Sequence, residues 1–134
     1  MYKLSIVTPE KVFYEGDVKS LVIPGSEGYL GVLTDHAPLI TATIPGKLMC
    51  RETDGDELMM AASSGFFEVS SNHATLLVDS VEFVSDIDME RARDALERAE
   101  QRMANEAGEV DFHRARKAVE RARNRLQVAK DSQR

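Results

Sequence analysis

A single cysteine, Cys50, excludes an internal disulfide framework, and a lone thiol in a strand-like segment reads as buried packing rather than as a nucleophile. No stretch approaches the roughly 18 apolar residues that a membrane span needs. The first eight residues also lack the basic start and apolar run of a signal peptide, so a soluble, cytoplasmic setting without membrane insertion is expected. Catalytic vocabulary is equally thin. Gly25, Gly28 and Gly31 are followed by neither Lys-Ser/Thr nor a helix opening, which rules against a phosphate loop. Asp35-His36 and Ser63-Ser64 sit in no Gly-x-Ser-x-Gly elbow. His36, His73 and His113 are far apart, none with a second His or Cys at ligand spacing, so no metal and no catalytic residue is proposed.

Basic charge is scarce in the first part of the chain: residues 1–84 hold 5 basic and 12 acidic side chains, against 12 and 11 in residues 85–134. Ten of the eleven arginines lie in that second part, and residues 111–134 alone hold 8 basic side chains against 3 acidic. With no aromatic platform between the arginines of this acidic chain, the cationic segment points to an acidic protein surface or a phosphate ligand, not to nucleic acid.

The stretch Asp79–Ala92 is where the pattern changes from β to α. Before it, short apolar runs alternate with Gly, Pro, Asn and Asp turn signals. They predict ten short strands at 2–7, 11–15, 18–23, 29–33, 39–44, 47–52, 57–63, 66–70, 74–78 and 81–84, with a hairpin at Asp54-Gly55. Ten strands in 84 residues leave no room for a helix, and two packed sheets hide the face that one would expose. After it, Ser85-x-x-Asp88 has the form of a capping box, predicting a helix from within a residue or two of Asp86. Ala92, Leu96, Ala99, Met103 and Ala107 make one apolar stripe. Gly108 is the expected terminator and Asp111 the next cap, and Phe112, Ala115, Val119, Ala122, Leu126 and Ala129 make a second stripe. The fold class is therefore α+β: an antiparallel β-sandwich over residues 1–84 and an antiparallel two-helix hairpin over residues 85–134.

Alanine dominates the helical stripes, and burying a methyl group contributes only about 0.8 kcal/mol where a leucine contributes about 2. A hairpin this marginal suits a switch, because a ligand worth a few kcal/mol selects between two packings. Arg91, Arg98 and Arg102 share one face of the first helix, and Arg121 and Arg125 one face of the second. Spacing alone allows a solvated charged face, with Asp94 and Arg98 as an i,i+4 pair. If Arg98, Arg121 and Arg125 converge, mutual repulsion calls for an anion among them, and a nucleoside triphosphate has the right charge.

Glu27-Gly-Tyr-Leu-Gly-Val-Leu-Thr-Asp-His-Ala-Pro-Leu39 resembles the signature of the epsilon subunit of F-type ATP synthases. Thr8-Pro9-Glu10, Ser64-Gly65-Phe66-Phe67-Glu68-Val69 and Ile87-Asp88-x-x-Arg91-Ala92 extend the likeness over the whole chain. The resemblance implies a non-catalytic central-stalk subunit on the cytoplasmic face of the bacterial membrane. Its sandwich would dock on the gamma subunit and rest on the c ring, with Asp35, His36 and Pro38 as ring contacts. It implies regulatory ATP binding as well, with Glu82, Ile87, Asp88 and Ala92 at adenine and ribose, Arg91 supporting the motif, and Arg98, Arg121 and Arg125 at the phosphates. With ATP the hairpin would fold against the sandwich. Without it, Arg114, Arg116, Lys117, Arg121, Arg123 and Arg125 would reach acidic surface on the alpha and beta catalytic subunits and block hydrolysis. The alternative is a constitutive coupling subunit whose helices never switch.

Overall fold

The computed structural model describes residues 1–105 and 109–132, the side chains of residues 109–111 excepted. Nine strands come first: β1 (Tyr2–Val7), β2 (Val12–Gly25), β3 (Gly28–Leu33), β4 (Leu39–Thr43), β5 (Gly46–Glu52), β6 (Glu57–Ala62), β7 (Gly65–Ser70), β8 (His73–Val78) and β9 (Val81–Phe83). A 3-10 turn at Val84–Asp86 leads into α1 (Met89–Asn105) and α2 (Glu109–Ser132). The class is α+β, and the chain divides into two compact units, Met1–Phe83 and Val84–Arg134.

Nine strands replace the expected ten because Gly16-Asp17, which reads locally as a turn, lies inside β2. That strand serves two layers. Residues 12–18 pair with β1, whereas residues 18–25 pair with β3 and β5, and the register shift between Val18 and Ser20 marks the crossing. A bulge bends a strand in this way without ending it. A Cβ at Gly16 would come within 3.0 Å of Tyr14 Oη, so a side chain there would crowd that ring.

One layer is thus β2-β1-β8-β7-β4 and the other β3-β2-β5-β6-β9, with β1–β8 the one parallel pair among the described strands. Alternation supplies the core between them: Leu4 and Ile6 of β1, Leu21 and Ile23 of β2, Leu48 of β5 and Phe67 of β7 are wholly buried. Tyr2 is buried as well, and its hydroxyl donates to the Val32 carbonyl at 2.6 Å, tying β1 to β3. Burial pushes both the Tyr2 hydroxyl and the Cys50 thiol up, the latter to about 11, as expected for a packed rather than reactive cysteine.

In the second unit, α1 begins at Met89, later than expected, and its cap is Asp88 rather than Ser85. The Asp88 carboxylate accepts the Arg91 N–H at 3.1 Å and the Asp88 carbonyl accepts the Ala92 N–H at 2.9 Å. Ser85 is displaced because Val84–Asp86 forms a 3-10 turn of its own. The second helix begins at Glu109, so Asp111 stands inside it and not at its cap; Ala107 and Gly108 lie outside the described residues. Leu96 shares a groove with Leu126, Gln127 and Lys130, while Glu100 reaches Arg123, so the two helices run antiparallel. Ala92, Ala99, Ala115, Val119, Ala122, Leu126 and Ala129 are buried, but Phe112 is 42% exposed and does not belong to the stripe.

Candidate functional site

Asp35, His36 and Pro38 occupy the connection between β3 and β4, where the chain passes from one layer to the other at one end of the sandwich. Asp35 is exposed and has a φ of 64°, a left-handed conformation that Asp tolerates better than most residues. The His36 N–H donates to the Leu33 carbonyl at 3.2 Å, and His36 Nδ1 donates to the Ala37 carbonyl at 2.7 Å. That leaves the imidazole Nε2 edge for a partner. Leu33, 65% exposed at the end of β3, adds an apolar side chain beside these polar groups.

The outer face of the β8-β7-β4 layer carries a second feature. Ala42, Phe66 and Leu77 are cross-strand neighbours, and Phe66 is 63% and Leu77 51% exposed. Ile40, two residues from Ala42 on the same face of β4, is 73% exposed. A contiguous apolar patch of this kind marks a protein interaction surface more often than scattered exposure does. Sequence reasoning missed it, although a signal was present: Leu39-Ile40, Phe66-Phe67 and Leu76-Leu77 are apolar doublets in strands, and alternation forces one member of each outward.

On the hairpin, the Glu100–Arg123 contact of 3.8 Å fixes which flank of α1 faces which flank of α2. Arg98 stands two residues before Glu100 and Arg121 two before Arg123, each about 200° further round its helix. Arg98 and Arg121 therefore share the opposite flank, together with Arg91, Arg102 and the half-buried Arg125. Asp94 lies at its margin. Two ion pairs of α2, Arg116–Glu120 at 3.4 Å and Arg123–Glu100, lie on the first flank. Charges are thus sorted: acidic and basic side chains are mixed on one side of the hairpin, and arginines predominate on the other.

The family model of the ATP synthase delta/epsilon chain β-sandwich domain matches residues 1–84, and that of the delta/epsilon chain long α-helix domain matches residues 85–130. The chain belongs to the epsilon-chain family of ATP synthases. An ATP synthase epsilon chain of Brevibacillus brevis is 45% identical over 130 residues, covering 95% of this chain and 96% of the relative. Another, from Protochlamydia amoebophila, is 44% identical over 103 residues, covering 77% of this chain and 70% of the relative. Among solved structures, a chain in the cryo-EM structure of Euglena gracilis mitochondrial ATP synthase, OSCP/F1/c-ring, matches with a TM-score of 0.77. It is 22% identical, over 95% of this chain and 79% of that one, and so bears on the fold alone.

Within this epsilon-type chain the residues expected at an ATP site fall into three groups. Arg98, Arg121 and Arg125 share the basic flank of the hairpin, as does Arg91 at the start of α1. Ile87, half-buried, and Asp88 precede α1, while Ala92 is wholly buried in its first turn. Asp88 has a structural task of its own, since its carboxylate caps the helix. Glu82 belongs to the first unit, half-buried in β9 opposite Ala61. Of the residues expected to touch the catalytic subunits, Arg114, Lys117 and Arg121 lie toward the basic flank by helical phase, with Arg125, whereas Arg116 and Arg123 lie toward the other and take part in ion pairs. The Ser63 hydroxyl is engaged with backbone, donating to the Ser80 carbonyl at 3.1 Å and accepting the Ser80 N–H at 2.9 Å.

Proposed function

We propose that this chain is a non-catalytic rotor subunit that joins the gamma subunit to the c ring and whose helical hairpin regulates ATP hydrolysis in response to ATP. The observation that carries the regulatory part is the sorting of charge on the hairpin. Arg98 on α1 and Arg121 and Arg125 on α2 line one flank, and guanidinium forks suit phosphate oxygens. Ile87, Asp88, Arg91, Ala92 and Glu82 are assigned to nucleotide recognition from the family pattern. For Asp88 this role is secondary to capping α1.

A closed hairpin with ATP on its basic flank permits catalysis by the complex. When ATP is scarce the hairpin opens, and the segment Arg114, Arg116, Lys117, Arg121, Arg123 and Arg125 contacts acidic surface of the alpha and beta subunits. Its two helices are joined mainly through alanines, so a small contribution decides between the states. ATP at about 100 times its dissociation constant adds roughly 2.7 kcal/mol to the bound form. The sandwich provides the fixed connections. The apolar patch of Ile40, Phe66 and Leu77 is the surface for gamma, and Asp35, His36 and Pro38 are the contacts with the ring, placing the chain on the cytoplasmic face of the membrane as a peripheral component.

The test is a calorimetric ATP titration of the purified chain beside an Arg98→Ala, Arg121→Ala double variant, which spares the Asp88 cap. Saturable one-to-one binding by the first and none by the second is expected. Absence of binding to the unmodified chain at millimolar ATP overturns the sensor and leaves a constitutive coupling subunit. In the reconstituted complex, removal of residues 88–134 is expected to raise ATP hydrolysis, and an unchanged rate removes the inhibitory role.

A further inference from the structure

Three non-glycine residues adopt left-handed backbone conformations among the described residues: Asp35 at φ 64°, Ser71 at 50° and Asn72 at 58°. Ser71 and Asn72 are the whole of the two-residue connection between β7 and β8, and positive φ at both positions is the type I′ form that suits the twist of a hairpin. Asp35 stands at the third position of the Leu33–His36 turn, closed by the His36 N–H to Leu33 carbonyl bond at 3.2 Å, where a positive φ is the type II form. What that turn does not supply is a hold on the Asp35 amide and carboxylate.

That hold comes from across the end of the sandwich. The Asp35 N–H donates to Asn72 Oδ1 at 2.7 Å, and Asn72 Nδ2 donates to Asp35 Oδ1 at 2.7 Å. One side-chain amide therefore meets both the backbone donor and the carboxylate of Asp35, closing a ring of two short hydrogen bonds between residues 37 positions apart. The Asn72 backbone carbonyl accepts the Lys3 N–H at 3.1 Å, which ties the turn to β1. The amide is thus held on a two-residue turn that has little freedom to move. Asp35 is thus shaped by its own turn and braced from outside its loop.

We propose that Asn72 is the positioning residue of the β3–β4 connection: it holds Asp35 in the conformation that presents Asp35, His36 and Pro38 to the c ring as one preformed surface. The inference rests on the reading of that connection as the ring contact. Asn72 acts through Asp35 and need not touch the ring itself. Preforming the loop removes its ordering cost at the moment of docking, which is the physical gain from such a clasp.

Four full-length chains test this: unmodified, Asn72→Gly, Asn72→Asp, and the exchange Asp35→Asn with Asn72→Asp. Glycine keeps the left-handed turn and removes the amide. Asn72→Asp keeps an acceptor for the Asp35 N–H but sets two carboxylates against each other with no side-chain donor between them, and their repulsion pulls the turn away from that amide. The exchange restores one donor and one carboxylate, so both hydrogen bonds can form again. Hydrogen exchange at the residue 35 amide of the isolated chain is expected to rise about tenfold in each single variant and to return in the exchange variant.

Affinity for purified c ring should fall by about the same factor in the single variants and recover in the exchange, while affinity for isolated gamma stays unchanged. General destabilisation would weaken both. Unchanged amide exchange in Asn72→Gly overturns the clasp. Faster exchange with full ring affinity overturns the positioning role, as does restored protection without restored ring affinity. If the unmodified chain fails to bind the ring, the ring-contact reading falls and takes the positioning role with it, whatever amide exchange shows.

Discussion

Between the two layers of the sandwich the fully buried side chains are large, Phe67, Leu4, Ile6, Leu21, Ile23, Leu48 and Met60 among them; between the helices they are Ala92, Ala99, Ala115, Ala122 and Ala129, with Val119 and Leu126. Both interfaces exclude water, but the apolar area each residue removes differs several-fold. The sandwich is tied further by strand pairing around both layers and by the Tyr2–Val32 bond. The hairpin relies on helix propensity, an Asp88 cap and close approach of small residues. A docking platform benefits from the first construction. An element that a ligand is to rearrange benefits from the second, because the free-energy gap to be overcome is small.

The sharpest way to break this contrast is to remove a large core side chain from the sandwich. Phe67→Ala is expected to cost about 3–5 kcal/mol, read as a shift in the denaturation midpoint of the first unit. The corresponding truncation in the second unit, Leu126→Ala, should cost about 2 kcal/mol. In the hairpin that loss is enough to raise hydrogen exchange throughout α1 and α2 while the sandwich amides keep their protection. Equal sensitivity of the two units to that change would show that the hairpin is not marginal.

Asp88→Ala removes the cap and is expected to cost about 1 kcal/mol, with faster exchange confined to the first turn of α1. In an ATP titration it separates recognition from capping: Asp88→Ser, which keeps a capping oxygen, should retain helix stability, and any ATP affinity it still loses belongs to the carboxylate. The smallest effect is expected from the exposed Lys3–Glu15 pair at 2.7 Å. The hydrogen bond and charge of Glu15 raise the Lys3 ammonium above 10.5, and those of Lys3 lower the Glu15 carboxyl below 4.5. The pair's contribution is present between those ordinary values, lost below as Glu15 protonates and lost above as Lys3 deprotonates. A Glu15→Gln variant compared with the unmodified chain across pH should show a small, flat difference inside that window that shrinks on both sides.

Much of this architecture was legible from one-dimensional patterns. The period-two alternation of Tyr2, Leu4 and Ile6, the Asp54-Gly55 hairpin with Gly55 at φ 99°, and the three- and four-residue steps of Ala92, Leu96, Ala99 and Ala115, Val119, Ala122 all reflect local backbone geometry. The misplacements have physical causes of the opposite kind. Gly16-Asp17 stayed in strand because β2 is paired on both sides of the bend, so tertiary hydrogen bonds overrode a turn signal. Ser85 lost the cap to Asp88 because the preceding residues closed a 3-10 turn. Phe112 fits the helical period but falls near the start of α2, where it is left exposed.

By itself the sequence determined the two-part α+β order, the acidic sandwich and cationic tail, and the segments that tie the chain to its family, since each is a property of neighbouring residues or of their sum. Only the tertiary structure decided that Phe66 and Leu77 face outward beside each other, that Asn72 grips Asp35, and that Arg98 shares a flank with Arg121. Those outcomes depend on strand register and on the phase of one helix against another. Both are set where residues distant in the chain meet and exclude water.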